Sequence, residues 1–126
     1  MAYNVLIVDD SLTARTFIVR TLEISGLPLS QCFQARNGAE ALDTLQREWV
    51  DMVIADINMP VMNGVELVRR MRALDLLKTI PVIIITTDRS PHRMAELKEA
   101  GVQAYLTKPI TPEEIKATVE RFLAME

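Results

Sequence analysis

Residues 4–11, Asn-Val-Leu-Ile-Val-Asp-Asp-Ser, carry the pattern that decides the fold. Four consecutive apolar residues end at two carboxylates, and Ser11 then begins an amphipathic stretch that runs to about Gly26. A short, uninterrupted apolar run is typical of a strand covered on both faces. Serine in front of apolar residues at helical spacing is typical of a helix start, and glycine of a helix end. This stretch therefore predicts a buried strand, Asn4–Val8, followed by a helix.

The same alternation repeats along the rest of the chain. Further apolar runs predict strands at Gln31–Ala35, Met52–Ala55, Val82–Ile85 and Ala104–Thr107. Helices are predicted at about Ala39–Glu48, after Asn63-Gly64, from Ser90-Pro91 to Gly101, and from the capping box Thr111-Pro112-Glu113-Glu114 onward. Alternating strands and helices favour an α/β fold with a parallel sheet. We predict one flavodoxin-like (βα)5 domain over residues 1–126, a doubly wound parallel sheet with strand order 2-1-3-4-5.

Composition limits the classes of function. The 126 residues are 49% hydrophobic and 25% charged, a globular balance, and the net charge of −3 gives no overall positive field for nucleic acid. The apolar run Ile80–Ile85 is too short to span a bilayer, and the N-terminus lacks a basic targeting segment. The only cysteine, Cys32, has no partner for an internal disulfide. We expect a cytoplasmic monomer or weak dimer that binds neither nucleic acid nor membrane.

Polar residues follow four of the five predicted strands. They are Asp9 and Asp10 after the first strand, Asp56 after the third, Thr86 at the end of the fourth and Lys108 after the fifth. Open α/β sheets bind ligands at the carboxyl ends of their strands, where the winding reverses. In the predicted strand order the first and third strands are neighbours, so we expect the three carboxylates to converge.

Three converging carboxylates repel one another unless a cation joins them. Oxygen ligands without nearby cysteine or histidine favour Mg²⁺, or Mn²⁺, over zinc. A carboxylate beside such a cation suits nucleophilic attack on phosphorus, and an ammonium and a hydroxyl stabilise the charge that spreads over the phosphoryl oxygens. Each residue alone also fits an ordinary role at a helix start or in a loop. Their combination at four strand ends is what favours phosphoryl transfer.

At this point the sequence resembles the response-regulator receiver family along essentially its whole length. The motifs are Val8-Asp9-Asp10-Ser11, Asp56-Ile57-Asn58-Met59-Pro60 with Met62-Asn63-Gly64, Pro81-Val82 leading to Thr86, and Lys108-Pro109. Within the family the chain looks most like the chemotaxis regulators. Two positions depart from the common pattern: Asn63 replaces an aspartate in a turn, and Thr87 stands where many members have alanine.

The resemblance implies residue roles at the metal and phosphoryl centre. Asp56 is expected to accept the phosphoryl group and to bind Mg²⁺ directly, together with Asp10 and the backbone carbonyl of Asn58. Asp9 is expected to act mainly through metal-bound water. Lys108 is expected to hold the phosphoryl group, with a cis bond to Pro109.

The resemblance also implies a switch and its partners. Thr86 and Tyr105 form the expected switch pair, which changes the face built from the fourth helix, fifth strand and last helix. Asn58 and Asp88 are expected to modulate hydrolysis by positioning water, whereas the bulk of Thr87 opposes it. The expected phosphoryl donor is a histidine kinase, and the expected output is a downstream protein such as a flagellar switch, or an output domain. Catalysis beyond self-phosphorylation and self-dephosphorylation is not expected.

Several alternatives stay open at this point. An Asp-nucleophile phosphatase of the haloacid-dehalogenase type needs a second aspartate where this chain has Asn58. A flavodoxin-like cofactor module would place a flavin phosphate against the repelling Asp9 and Asp10. A pseudo-receiver without chemistry is disfavoured because every expected site residue is present. A receiver cut from a larger response regulator fits the same sequence as a stand-alone protein.

Overall fold

The computed structural model describes residues 2–102 and 104–123, which form five strands and five helices in strict alternation. The elements are β1 Tyr3–Val8, α1 Leu12–Ile24, β2 Leu29–Ala35, α2 Gly38–Arg47, β3 Met52–Ala55, α3 Gly64–Arg72, β4 Val82–Thr86, α4 Pro91–Ala100, β5 Ala104–Thr107 and α5 Pro112–Leu123. Within the described ranges, no helix is long and apolar enough to cross a membrane. The predicted α/β class is confirmed.

The strands form one parallel sheet in the order β2-β1-β3-β4-β5. This is the predicted order, with the winding reversed between β1 and β3. Val8 at the end of β1 is in register with Ala55 at the end of β3. The residues that follow them, Asp9 and Asp56, therefore emerge at the same edge of the sheet.

Helices cover both faces of the sheet, because successive strand residues point in opposite directions. Leu6, Val53 and Ile84 belong to one buried cluster with apolar residues of α2, α3 and α4. Their strand neighbours Ile7 and Ile54 belong to a second cluster with residues of α1 and α5. This two-sided burial explains why the central strands are apolar without alternation.

Helix ends agree with the capping signals in the sequence. The side chains of Ser11, Asn37, Asn63 and Ser90 each accept a backbone N–H in the first turn of the helix that follows. At α5, the Thr111 hydroxyl accepts from the Glu114 N–H while the Glu114 carboxylate accepts from the Thr111 N–H, the predicted capping box. The largest difference from prediction is β2, which begins two residues early because Leu29 pairs with Tyr3 of β1.

Candidate functional site

Strand ends place two carboxylates side by side at the carboxyl edge of the sheet. The backbone N–H of Asp56 donates to the Val8 carbonyl oxygen at 3.0 Å, and that of Asp9 donates to the Ala35 carbonyl oxygen at 3.1 Å. These bonds continue the parallel ladder one residue beyond β1 and β3. Asp9 is buried, with 2% of its surface exposed, while Asp56 is partly exposed. The less exposed carboxylate thus lies next to one that a ligand can reach.

Lys108 joins the two carboxylates across the sheet edge. Its backbone N–H donates to the Thr86 carbonyl oxygen at 3.0 Å, which sets the start of the segment after β5. Its Nζ lies 3.0 Å from Oδ2 of Asp56 and 3.3 Å from Oδ2 of Asp9. The bond between Lys108 and Pro109 is cis, as the resemblance implied. Residues from three separate strand ends therefore meet, as the sequence predicted.

The electrostatics of this group leave excess negative charge. Burial alone lowers the pKa of the Lys108 ammonium, but the hydrogen bond and charge of Asp56, together with those of Asp9, outweigh it and raise the pKa above its usual value. One ammonium then faces two carboxylates. The arrangement keeps Lys108 protonated at neutral pH. The remaining negative charge of the two carboxylates would favour binding of a further cation.

Asp10 and Asn58, the other predicted metal ligands, lie at the surface of the same edge. The Asp10 carboxylate makes no hydrogen bond to any described residue, whereas both oxygens of Asp9 are engaged, Oδ1 by the Ser11 N–H and Oδ2 by Lys108. Over residues 2–102 and 104–123, no three acidic, histidine or cysteine side chains are already arranged as metal ligands. The donor set, carboxylates with a backbone carbonyl, still suits a hard cation. The Mg²⁺ assignment therefore stays a prediction.

Thr86 is buried at the end of β4, and its side chain is tied to the loop that follows. The Thr86 hydroxyl accepts the Asp88 N–H at 3.1 Å. The Asp88 carboxylate in turn accepts the Ser90 N–H at 3.0 Å and lies 3.5 Å from Nε of Arg93. The Ser90 backbone and side chain, with Arg93, lower the pKa of Asp88. Asp88 is thereby directed toward the start of α4.

Two further predicted residues lie at the surface beyond this centre. Tyr105 is about half exposed on the edge strand β5. Thr87 is exposed and lines a groove of about 500 Å³ with Lys108, Pro109 and Phe17. Thr87 thus borders the same groove as Lys108, and its predicted effect on access to Asp56 stays a prediction. The roles of Thr86, Tyr105, Asn58 and Asp88 remain predictions.

Two residues that support the site were missed by sequence reasoning. Nη1 of the buried Arg15 donates to the Asp9 carbonyl at 2.7 Å, and its Nε donates to Gln34 at 2.9 Å. The available sequence signal for Arg15 was a charged residue next to the apolar stripe of α1. Gly64 is the second, since a Cβ there would overlap the backbone oxygen of Asp56. The sequence pattern identifies Gly64 only as part of the Asn63-Gly64 helix start, so it does not predict the packing of Gly64 against Asp56.

Comparisons with known proteins agree with this geometry. The model of the response regulator receiver domain family matches residues 5–120. A chemotaxis protein CheY homologue of Campylobacter jejuni is 39% identical over 121 residues, 95% of this chain and 92% of that protein. Sporulation initiation phosphotransferase F of Bacillus subtilis is 34% identical over 126 residues, 100% of this chain and 98% of that protein.

A solved structure of the chemotaxis response regulator CheY4 of Vibrio cholerae shares 36% identity, with a TM-score of 0.84, over 97% of this chain and 99% of that one. The chain therefore belongs to the response regulator receiver domain family of two-component signalling and is CheY-like.

Proposed function

We propose that this receiver accepts a phosphoryl group on Asp56 in an Mg²⁺-dependent reaction and converts it into a change of its α4-β5-α5 face. The observation that carries the proposal is the Lys108 ammonium, which lies within 3.3 Å of the carboxylates of both Asp9 and Asp56. Asp56 is the more accessible of these two carboxylates. It therefore suits the role of nucleophile, whereas buried Asp9 suits a supporting one.

The transfer is a substitution at phosphorus. An oxygen of Asp56 attacks the phosphorus of a phosphohistidine on a kinase, the P–O bond forms, the P–N bond breaks, and the imidazole leaves and takes up a proton. The product is an acyl phosphate on Asp56. Lys108 already lies against Oδ2 of Asp56 and would follow the added phosphoryl oxygens, to which an ammonium makes charge-assisted hydrogen bonds.

Asp10, Asp56 and the Asn58 backbone carbonyl would hold Mg²⁺ directly, and Asp9 would contribute through water. When bound, the cation supplies the positive charge that offsets the carboxylates and the incoming phosphoryl oxygens. Exposure and the lack of other hydrogen bonds among the described residues leave Asp10 free for this role. Arg15 fixes the Asp9 carbonyl and so orients the Asp9-Asp10 turn.

The switch would begin at Thr86. Its hydroxyl accepts the Asp88 N–H in the unphosphorylated protein, so movement toward a phosphoryl oxygen would release that bond. Asp88 also contacts Ser90 and Arg93 at the start of α4, so the release would reach the helix directly. Tyr105, half exposed on β5, would then change its position on the output face.

The proposed donor is a histidine kinase and the proposed output a downstream protein, in a cytoplasmic setting. The likeness to chemotaxis proteins supports a flagellar-type target, and the likeness to a sporulation phosphotransferase supports onward transfer as the alternative. Beyond self-phosphorylation and self-dephosphorylation, no catalysis is proposed. Residues 1–126 are proposed to act as one receiver, either alone or beside an output domain.

The test is intact-mass measurement after incubation with acetyl phosphate, with and without Mg²⁺. We expect one added phosphoryl group in the presence of Mg²⁺ and none after Asp56→Asn. The matched control is Asp51→Asn, a partly buried aspartate at the opposite end of β3 that should leave labelling intact. Equal labelling of wild type and Asp56→Asn would refute the assignment.

A further inference from the structure

A groove with a mixed apolar and acidic lining lies at the end of the sheet opposite to Asp56. It has a volume of about 330 Å³ and is bordered by the loop between α2 and β3 and by the loop between α3 and β4. Both loops lead into the amino ends of their strands, and four-residue β3 separates the groove from Asp56 by roughly 13 Å. None of the site residues discussed above lines it. The groove is therefore separate from the phosphorylation site.

Trp49 forms one wall of this groove and is held in an exposed position. Its side chain and backbone are 78% exposed in total, although its Nε1–H donates to Oδ1 of Asp51 at 3.1 Å. Asn4 holds the same loop, since its Nδ2 donates to the Trp49 carbonyl and its N–H donates to Oδ2 of Asp51, both at 2.8 Å. A fixed, exposed aromatic ring loses little entropy on binding, which is why such residues dominate many interfaces.

Leu76, in the loop between α3 and β4, also lines the groove and is 91% exposed. It also borders a second groove of about 380 Å³, which shares Leu45 and Leu77 with the first. Leu45, Leu77 and Val50 are buried and provide an apolar floor. Trp49 and Leu76 thus add two exposed apolar side chains to this buried floor, a larger exposed apolar group than a single surface leucine.

The charges along the first groove are all negative. Glu48 and Asp51 line it, and no lysine, arginine or histidine among the described residues does. Glu48 makes no ion pair within the described part of the chain, whereas Asp75 on the second groove pairs with Lys78 at 3.3 Å. An apolar floor with an acidic edge is complementary to an apolar segment that carries lysine or arginine beside it.

We propose that this groove docks a cationic amphipathic segment of a partner protein, with apolar side chains between Trp49 and Leu76 and a basic side chain against Glu48 and Asp51. A second copy of this chain is a poorer occupant. A two-fold interface joins the same patch of both copies, so it would bury Glu48 and Asp51 of each copy with no basic lining residue to pair them. Because the groove is at the far end from Asp56, the docked segment leaves the phosphorylation site open.

The test uses Trp49 as reporter, since it is the only tryptophan of the chain. An amphipathic 18-residue Leu/Lys peptide is titrated against the full chain, and a Leu/Glu peptide with the same leucine positions serves as the charge control. We expect a saturable blue shift of Trp49 emission with the Leu/Lys peptide alone. Asp56→Asn should bind it with unchanged affinity, which keeps this result separate from the phosphorylation proposal.

Two matched pairs of variants locate the binding. Leu76→Ser should weaken binding roughly tenfold or more, because a leucine that the docked peptide would cover is lost, whereas Ile24→Ser on α1, 74% exposed, should not. Glu48→Lys should weaken it about fivefold, and Glu120→Lys on α5, with the same change of net charge, should not. Each of these substitutions is at an exposed position, so the fold should persist.

Three results would overturn the proposal. Equal binding of the Leu/Glu peptide would remove the charge complementarity. Equal effects of the two members of either variant pair would place the peptide elsewhere on the surface. Sedimentation showing a dimer of the free chain that Leu76→Ser abolishes would assign the groove to a second copy instead of a cationic segment.

Discussion

Nζ of Lys108 lies 3.0 Å from Oδ2 of Asp56, a contact between residues 52 positions apart in the chain. The two side chains come from the ends of strands β5 and β3, which are separated by β4 in the sheet. Lys108 therefore reaches across one strand to the Asp56 carboxylate and also contacts Asp9. The same ammonium is therefore proposed to contribute both to the stability of the fold and to the chemistry of the site.

This contact predicts a pH dependence of stability. The pKa of Lys108 is raised in the folded protein, so its contribution is fully present below the ordinary value of about 10.5 and is lost as pH rises through the folded value. We expect the free energy of unfolding of wild type to exceed that of Lys108→Met by a constant amount between pH 7 and pH 10. Above that range the difference should shrink. Urea unfolding at a series of pH values measures it, and a difference that grew at high pH would contradict the assigned ion pair.

Asp9 and Asp10 are adjacent but should respond oppositely to substitution. Asp9 is buried and accepts from Ser11 and Lys108, so Asp9→Ala should lower the free energy of unfolding by about 2 kcal/mol. Asp10 is exposed and adds only repulsion, so Asp10→Ala should raise it by about 0.5 kcal/mol. Urea unfolding without Mg²⁺ gives both values.

The Asp10→Ala variant also tests the metal assignment. Titration with Mg²⁺ should show weaker binding to Asp10→Ala than to wild type, because a direct ligand is lost. Unchanged Mg²⁺ affinity of Asp10→Ala would remove Asp10 from the metal site.

The loop after Asp56 contains a residue with an unfavourable backbone conformation. Val61 has φ of 67°, in the left-handed region that β-branched residues rarely adopt, and is 85% exposed. Val61→Asn should raise the free energy of unfolding by about 1 kcal/mol, since asparagine tolerates this conformation and no buried surface is lost. Ile24→Asn, at an exposed helical position, is the control and should bring no such gain. A loss of stability in Val61→Asn would show that the valine side chain makes a compensating contact.

The lifetime of the acyl phosphate should depend on Asn58 and Asp88. Asn58 is exposed two residues after Asp56, and Asp88 is bound to the loop that also holds the Thr86 hydroxyl. Replacing both with bulky or cationic residues should slow Mg²⁺-dependent loss of phosphate, because both side chains are proposed to position the attacking water. Dephosphorylation followed after removal of the donor measures the rate. Loss as fast as in wild type would mean that neither residue guides water.

The sequence predicted the strands and helices, which follow from repeating patterns, and the residues that lie at their ends. Apolar runs defined the strands to within two residues, and parallel strands necessarily bring the residues after them to one edge, so Asp9, Asp56 and Lys108 were placed together correctly. Side-chain contacts across long separations were not predictable in the same way. The bond from Arg15 to the Asp9 carbonyl depends on how α1 packs, and the bond from Trp49 to Asp51 depends on how the loop before β3 folds. Periodicity carries no information about either contact.

The most direct measurement of the central claim is the position of the acyl phosphate. After phosphorylation with acetyl phosphate, borohydride reduction converts an aspartyl phosphate to homoserine, and peptide mass spectrometry then locates it. We expect homoserine at position 56 alone, and only when Mg²⁺ was present during phosphorylation. Homoserine at Asp9 or Asp10, or at position 56 to the same extent without Mg²⁺, would contradict the account.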